Sequence, residues 1–520
     1  VFWIDRVNRG EILPPFQGVE EWLERIRPFL PNDQEAYLVG GAVRDLLLKR
    51  PLHDLDLVLS GDVRQVAKRV ANALNAAFYM LDDARDTARV IARRDGEPFV
   101  IDFAAYRAQD LEGDLRERDF TINAMALRLT GEQALIDPLG GWQDVRSATL
   151  RACSAASFEQ DPLRILRAAR LSVQLGFKIE RGTYHQMRVA AAQVTRVAGE
   201  RKRDELFRIF ENPRPAAAIR ILDSCGALDH IFPELSPLKG TEQSPPHSLD
   251  VWEHTLVVLQ ELESLMAVLV GAYREETANL MYALAVLRLG RFREQLEQHT
   301  RQYLSSDRPV RALLFLGVLF HDAGKPATGQ VDQNERIRFF GHEKVSAELV
   351  GAAARRLALS QVETQRLQAI TAHHMRVHHL ADNPEAPTRR AVYRYFKATG
   401  EAGVDICLLT LADVLATYRM NMTQERWLAE LDVCRALLEY WWEAAANHTR
   451  SPRLLTGADL QEQLRLKPGR LIGELLEAVE EAAAIGEIAS HAEALNFARE
   501  WLQEHYPAVL EGGERGRSTG

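Results

Sequence analysis

The sequence predicts an α+β multidomain protein, a small mixed-sheet head followed by mainly helical domains, and three observations carry that reading. Two short apolar runs near the N-terminus, Asp54–Leu59 and Phe99–Phe103, have the length and the aliphatic or aromatic content of strands. From Arg151 onward the apolar residues recur at helical spacing. Length is the third: 520 residues with 46% hydrophobic content can bury several cores, roughly three or four domains.

Leu38-Val39-Gly40-Gly41-Ala42-Val43-Arg44-Asp45 reads as a strand that ends in a Gly-Gly turn and opens a helix. Such a turn lets backbone N–H groups approach an anion, and the helix start adds a favourable partial charge. A tight structural turn would use the same glycines. Thirteen to sixteen residues later comes Asp54-Leu55-Asp56. Side chains alternate along a strand, so these two carboxylates share a face, where they repel unless hard divalent cations join them. Asp102 lies in the second run; if that strand pairs beside the first, three acids converge, as two-metal phosphoryl or nucleotidyl transfer requires. Arg118-Asp119-Phe120-Thr121-Ile122-Asn123 then mixes a cation, an acid and an amide, and its ordinary reading is a capped helix start.

With these residues in hand, the chain resembles the class II tRNA nucleotidyltransferases and bacterial poly(A) polymerases of the polymerase-beta superfamily. The matching text is LVGGAVRDLLLKRPLHDLDLVL at 38–59, ERDFTINAMAL at 117–127, IDPLGGWQDVRSATLRA at 136–152 and DPLRILRAARL at 161–171. The resemblance implies a polymerase-beta-like nucleotidyltransferase head in which Asp54 and Asp56 would hold two magnesium ions, with Asp102 as the third catalytic carboxylate. Gly40, Gly41 and Arg44 would face the triphosphate, and Arg118, Asp119 and Asn123 the ribose and phosphates. Asp161 and Arg164 would read the incoming base.

Asp161 and Arg164 are three apart on an apolar-patterned helix, hence neighbours on one face. Cytosine and adenine each present an amino donor beside a ring-nitrogen acceptor, which an acid-plus-guanidinium pair complements. Guanine and uracil present the opposite polarity and would leave buried groups unpaired. An intrahelical salt bridge, worth about 0.2–0.5 kcal/mol, is the plainer alternative. Where the family has Glu before this Asp, here stands Gln160.

The overall charge is −9, but between Arg151 and Arg220 there are 14 Lys/Arg and 7 Asp/Glu, a local excess of 7 positive charges. Arg164, Arg167, Arg170 and Arg201-Lys202-Arg203 in that helical stretch are expected to track an RNA backbone. The four cysteines, Cys153, Cys225, Cys407 and Cys434, lack C-x-x-C spacing and are expected to be reduced thiols. No run of about 18 apolar residues exists, so no membrane span is expected, and the opening VFWIDRVNRGEILPPF lacks a secretory pattern. A cytoplasmic location is the expectation.

Beyond Pro233, the breaker-rich Leu235 to Pro246 reads as a linker. Past it, His254, His321-Asp322, His342, His373-His374 and Asp413 sit in or beside apolar helical stretches. Such imidazole and carboxylate clusters suit Mn, Fe or Ni, or Mg where oxygen dominates. Through DVWEHT at 250–255, LFHDAGKP at 319–326, GHE at 341–343, AHH at 372–374 and LAD at 411–413, this region resembles the HD superfamily of metal-dependent phosphohydrolases. The resemblance implies a primary metal site of His254, His321, Asp322 and Asp413. His342, His373 and His374 would hold a second metal, Asp250 could add a ligand, and Lys325 would lie near a phosphate. Some such domains are structural only.

The last part is helical, with Lys467-Pro468-Gly469-Arg470 as a turn opening a helix, and the polar end from Gly512 is expected to be mobile. The expected domains are a head (1–150), a neck that reads bases and binds RNA (151–235), an HD domain (236–435) and a tail (436–520). The resemblance implies transfer of CMP or AMP from CTP or ATP to the tRNA 3′ end. Full CCA addition, CC or A alone, or a poly(A) tail remain open; the segment 81–89 is short where full CCA addition would bring a longer flexible loop. An alternative makes the HD half primary, as a phosphohydrolase with the head as an RNA-binding module.

Overall fold

The computed structural model describes residues 20–30, 35–52, 54–94, 97–130, 134–270, 279–305, 308–383, 387–444 and 454–507. Both the opening segment and the polar end from Gly512 lie outside the described residues. The chain divides after Pro233 into two compact units.

In the first unit, β1 (Ala36–Val39), β2 (Asp54–Leu59), β3 (Ala77–Asp82), β4 (Thr87–Arg94), β5 (Glu97–Ala105), β6 (Ala126–Arg128) and β7 (Leu135–Ile136) form one sheet. Their order is β3-β4-β5-β2-β1-β6-β7. Only β2 and β5 run parallel among these neighbours; the other pairs are antiparallel. A parallel pair needs a crossover, supplied here by a helix and the β3–β4 hairpin. Between β1 and β2 lies α1 (Gly41–Leu47), and between β2 and β3 lies α2 (Val63–Leu74). Asp62 caps α2 by accepting from Gln65 N, and Asn75 ends it in the left-handed region. Its buried residues Val63, Val66, Ala67, Val70 and Ala71 follow helical spacing and pack on the sheet.

Beyond shorter helices, the later part of this unit is built on α3 (Arg164–Leu175), α4 (Arg181–Ala190), α5 (Gly199–Glu211) and α6 (Pro215–Ser224). Both α5 and α6 pack on α3 through buried residues that include Ile165, Ala169, Phe210 and Ile219.

The second unit is mainly helical. Its site-bearing helices are α7 (Val251–Leu269), α8 (Val310–Phe320), α9 (His342–Arg356), α10 (Gln361–His373), α11 (Met375–Ala381), α12 (Ala402–Tyr418) and α13 (Gln424–Glu439). From Ala402 to Thr417 every residue of α12 is buried, as expected of a helix apolar nearly all round. Its buried Asp405 is satisfied by Arg366 Nε at 2.7 Å and His299 Nε2 at 2.9 Å. Near the end, α14 (Arg470–Ala484) and α15 (His491–His505) build a core of their own, with Leu475, Val479, Leu495 and Leu502 buried together.

The breaker-rich stretch before α7 is not a free linker. Leu235 and Leu238 are buried, Ser244 Oγ accepts from Ile337 N at 2.7 Å, and Pro245 O accepts from Arg336 Nη2 at 2.8 Å. Proline and glycine punctuate the chain here without detaching it from the core. Among the described residues no helix is long and apolar enough to cross a membrane. The four cysteines are free thiols, Cys225, Cys407 and Cys434 buried and Cys153 partly so.

Candidate functional site

Strand pairing brings the head's carboxylates together. Asp54 and Asp56 alternate with buried Leu55 and Leu57 on β2, and the parallel register sets Asp102 of β5 beside Asp56. Burial, then the neighbouring Asp54 charge, pushes the Asp56 carboxyl up to about 6. Arg118 opposes this and Asp102 adds to it. On β4, directly opposite Asp102, Arg89 donates a fork of two 2.8 Å bonds to its oxygens. This bidentate partner was not anticipated; an Arg at strand spacing opposite an acid was the signal.

Gly40 joins β1 to α1 with φ +74°, and a Cβ there would stand 3.1 Å from Asp56 Oδ2 and 3.2 Å from Arg118 Nη1. Both the conformation and the space call for glycine. A Cβ on Gly41 would meet Arg44 Nη2 at 3.2 Å. Arg44 is buried, giving Nη1 to Asn123 Oδ1 at 2.6 Å, while Asn123 Nδ2 donates to Asp119 Oδ1 at 3.1 Å. Asp119 also pairs with Arg167 at 3.0 Å. Although burial opposes it, that guanidinium and the Asn123 bond hold the Asp119 carboxyl below its ordinary range. Arg118 is anchored to Asp114 Oδ2 through Nε at 3.1 Å and Nη2 at 3.0 Å. Thr121–Asn123 is a short 3₁₀ turn rather than the start of an α-helix.

The expected face shared by Asp161 and Arg164 does not form. Asp161 is extended (φ −143°, ψ 95°) between a short helical turn and α3, and Arg164 is the first residue of α3. Pro162 follows Asp161 and biases it away from helical geometry. Asp161 Oδ2 pairs instead with Arg201 Nη2 at 2.8 Å. Arg164 donates Nη1 to Ser157 Oγ at 2.8 Å and Nη2 to Glu117 O at 2.7 Å. Other cations expected on an RNA backbone also have protein partners: Arg170 with Glu205 and Arg203 with Asp204.

In the second unit, the end of α8 carries His321-Asp322, α9 begins at His342, and His374 follows α10. These meet His254 of α7, and two groupings have ligand atoms close enough to share a metal: His254 with His321 and Asp322, and Asp322 with His342 and His374. His254 Nε2 lies 3.0 Å from Asp413 Oδ1, and His342 Nε2 lies 3.3 Å from Asp322 Oδ1.

The donor chemistry fits a metal. Nδ1 of His321, His342 and His374 each lies 2.7–2.8 Å from a backbone carbonyl, of Val318, Phe339 and Thr371. A carbonyl only accepts, so each Nδ1 donates, and in the neutral ring each Nε2 keeps a lone pair for the interior. Buried Nε2 of His254 and His321 lie near carboxylate oxygens but make no aligned hydrogen bond. Burial, then the neighbouring His342 and His321, holds His374 well below its ordinary value, hence neutral. Against burial, His321 and Lys325 hold the Asp322 carboxyl well below its own; Lys325 Nζ is 2.7 Å from Asp322 Oδ2.

Asp413 is in neither grouping and meets the cluster through His254, and two other expected ligands do not join. His373 is half-buried in the cavity wall and belongs to neither grouping. Asp250 is the N-cap of α7, accepting from Glu253 N at 2.7 Å and Gly240 N at 2.9 Å. His378 is the residue that sequence reasoning missed: its Nε2 lies 3.0 Å from Asp413 Oδ2 and its Nδ1 2.9 Å from Glu430 Oε1. Despite burial, those two carboxylates push its imidazole up to about 10. A cavity of about 810 Å³ opens onto this cluster, lined also by His247, Lys325, Arg336 and Phe340.

Residues 36–151 match the family described as the poly A polymerase head domain, 176–239 the probable RNA and SrmB-binding site of polymerase A, and 278–418 the HD domain. An A-adding tRNA nucleotidyltransferase of Deinococcus radiodurans is 34% identical over 92% of this chain and 98% of its own length. The chain belongs to the class II tRNA nucleotidyltransferase family. It is therefore an enzyme of tRNA 3′ nucleotide addition, with an RNA-binding segment and an HD domain. A CC-adding enzyme of Geobacter sulfurreducens is 31% identical over 89% of this chain and 91% of its own. The multifunctional CCA protein of Methylococcus capsulatus is 38% identical over 45% of this chain and 57% of its own. The fold is shared with a CCA-adding enzyme solved with ATP, at TM-score 0.60 and 22% identity over 93% of this chain and 96% of that one. His254 lies outside the matched HD segment, yet the structure brings it to the cluster.

Proposed function

We propose that the head transfers CMP or AMP from CTP or ATP to the tRNA 3′-hydroxyl, and that this chain supplies one half of the CCA end, CC or A. The observation that carries the chemistry is the register that sets Asp102 beside Asp56 on adjacent parallel strands, with Asp54 on the same face. Two near-full-length relatives support the restriction to half, since one is named A-adding and the other CC-adding. The Methylococcus multifunctional protein matches less than half of this chain. The β3–β4 hairpin turns within residues 83–86, too short for a separate loop.

Asp54 and Asp56 would hold the magnesium ions, with Asp102 beside them as the third carboxylate. When bound, such ions lower the pKa of an attacking hydroxyl and neutralise the triphosphate. The rest falls to protein side chains. Asp102 has both oxygens engaged by Arg89, so it orients rather than takes up the hydroxyl proton while that fork holds. Gly40, Gly41 and the anchored Arg44 and Arg118 would face the phosphates, and Asp119 and Asn123 the ribose. Asp161 and Arg164 would read the base only after Arg201 and Ser157 release them. A transfer assay with labelled CTP or ATP on tRNA ending before C, after CC and after CCA tests this. Extension by CC alone or by A alone is expected; growth from the bare end to full CCA, or unlimited ATP addition, would overturn the restriction.

The HD unit supports a second activity, metal-dependent hydrolysis of phosphoester or cyclic phosphate ends. Six residues would hold Mn, Fe, Ni or Mg: His254, His321, Asp322, Asp413, His342 and His374. The buried Nε2 atoms without aligned partners favour this over a merely structural domain. Metal analysis of the purified protein, with hydrolysis of a 2′,3′-cyclic phosphate by wild type and Asp322→Ala, tests it.

A further inference from the structure

The HD cavity is larger than a phosphate group requires. At about 810 Å³ it falls in the range of small-molecule sites, roughly 300–1,000 Å³. Its lining carries six Lys/Arg against four Asp/Glu, and two of those acids, Asp322 and Asp413, belong to the candidate metal cluster. Lys325, Arg338 and Arg426 are paired with Asp322, Asp332 and Asp382, which leaves Arg336, Lys344 and Arg376 on the wall to meet an anion.

At this cavity stands Phe340, 79% exposed. Scattered exposed aliphatics need no explanation, but Phe340 differs from them in its place. Its neighbour Phe339 is fixed: the carbonyl accepts from His342 Nδ1 at 2.7 Å, and the ring lies 5.5 Å beneath Lys325 Nζ. Gly341, with φ +79°, then turns the chain into α9 at His342. Phe340 is two residues from a candidate ligand, at most about 7 Å along the backbone. An aromatic face therefore stands within one nucleotide's reach of the cluster, on backbone fixed by its neighbours on both sides.

We propose that Phe340 forms a nucleobase subsite of the HD cavity, on which the base of a nucleoside phosphate stacks while its phosphate faces the His/Asp cluster. Turnover of the bound phosphate rests on the hydrolytic reading of that cluster, whereas binding at the subsite does not. Base–aromatic stacking is tolerant of base identity, so the subsite accepts any terminal nucleotide.

The test uses the full chain loaded with Mn²⁺ and a fluorescent probe, 2-aminopurine riboside 2′,3′-cyclic phosphate, whose emission is quenched on stacking. Phe340→Ala should weaken the Phe340-dependent binding roughly tenfold, and Phe340→Trp should restore it. Affinity for the base-free ribose 2′,3′-cyclic phosphate should be unchanged in both variants. The same probe placed at the 3′ end of a short RNA separates the two sources of this chemistry, and tighter binding there marks an RNA end as the ligand. Equal binding of the 2-aminopurine probe by wild type and Phe340→Ala would overturn the subsite. Phe340-dependent binding without hydrolysis would leave the subsite standing and remove the hydrolytic reading.

Discussion

Each half of the chain gathers acids into a space fit for metal ions, yet the two are prepared differently. In the head, Asp54 is exposed, Asp102 is forked by Arg89, and the carboxyl of Asp56 is pushed up to about 6. A guanidinium, and below about pH 6 a proton, relieve the repulsion that divalent ions would relieve with substrate. In the HD unit the cluster is buried, backbone carbonyls fix the tautomers of three imidazoles, and Asp322 and Asp413 are held well below the usual carboxylate range. The first arrangement suits an ion that comes and goes with the nucleotide, the second an ion that stays.

Disabling each half alone probes this difference most directly. Asp56→Ala should cut nucleotide addition by roughly 10³-fold or more, since it removes charge aimed at the reacting phosphate. Asp322→Ala should leave addition within about twofold, because the two sites belong to separate compact units and share no residue. Steady-state incorporation of labelled nucleotide reads both, and loss of addition in Asp322→Ala would show that the halves are coupled.

Retention is the next difference. After exhaustive dialysis the HD unit should keep metal that elemental analysis detects, and His321→Ala should weaken its hold by at least the roughly 10- to 100-fold seen on losing an outer partner. Head-bound magnesium should wash out of both proteins. An HD unit that emptied as readily as the head would erase the distinction.

A third effect is smaller and depends on pH. Because its folded pKa of about 6 lies above the ordinary 3.8, Asp56 makes the folded head bind a proton more tightly than the unfolded chain does. Stability is then lost as pH rises from about 4 to about 6 and stays lost above, by roughly 3 kcal/mol at most. In EDTA at pH 8, Asp56→Asn should raise the Tm; at pH 4 the gain should vanish. Equal Tm values at pH 8 would mean that Asp56 carries no such strain.

Sheet and strand acids were legible because period-two alternation fixes which side chains share a face, and the Gly-Gly turn because only glycine suits Gly40. What escaped was set by local geometry that spacing does not report. Helical spacing grouped Asp161 with Arg164, whereas Pro162 keeps Asp161 extended and hands it to Arg201. The double histidine invited both rings inward, but adjacent helical residues point about 100° apart. His374 takes the interior, and the residue on its face is four further on, His378, which bonds Asp413. The i, i+4 rule applied to His374 would have found it. Unlike the partners of His299, one of those of His378, Asp413, belongs to the cluster itself.

The smallest expected effect separates a cap from a ligand. Asp250 lies one turn before His254, which suggested coordination, but its oxygens serve backbone N–H groups, Glu253 in the first turn of α7 and Gly240 in the preceding loop. Asp250→Ala should cost about 1 kcal/mol of stability through the lost cap, and Asp250→Asn, which can still cap, should recover most of it. Metal content should match wild type in both, since the Asp250 carbonyl that accepts from His254 N is backbone and survives either substitution. Metal loss in Asp250→Asn at an unchanged Tm would instead make the carboxylate a ligand, and the helix start part of the metal site.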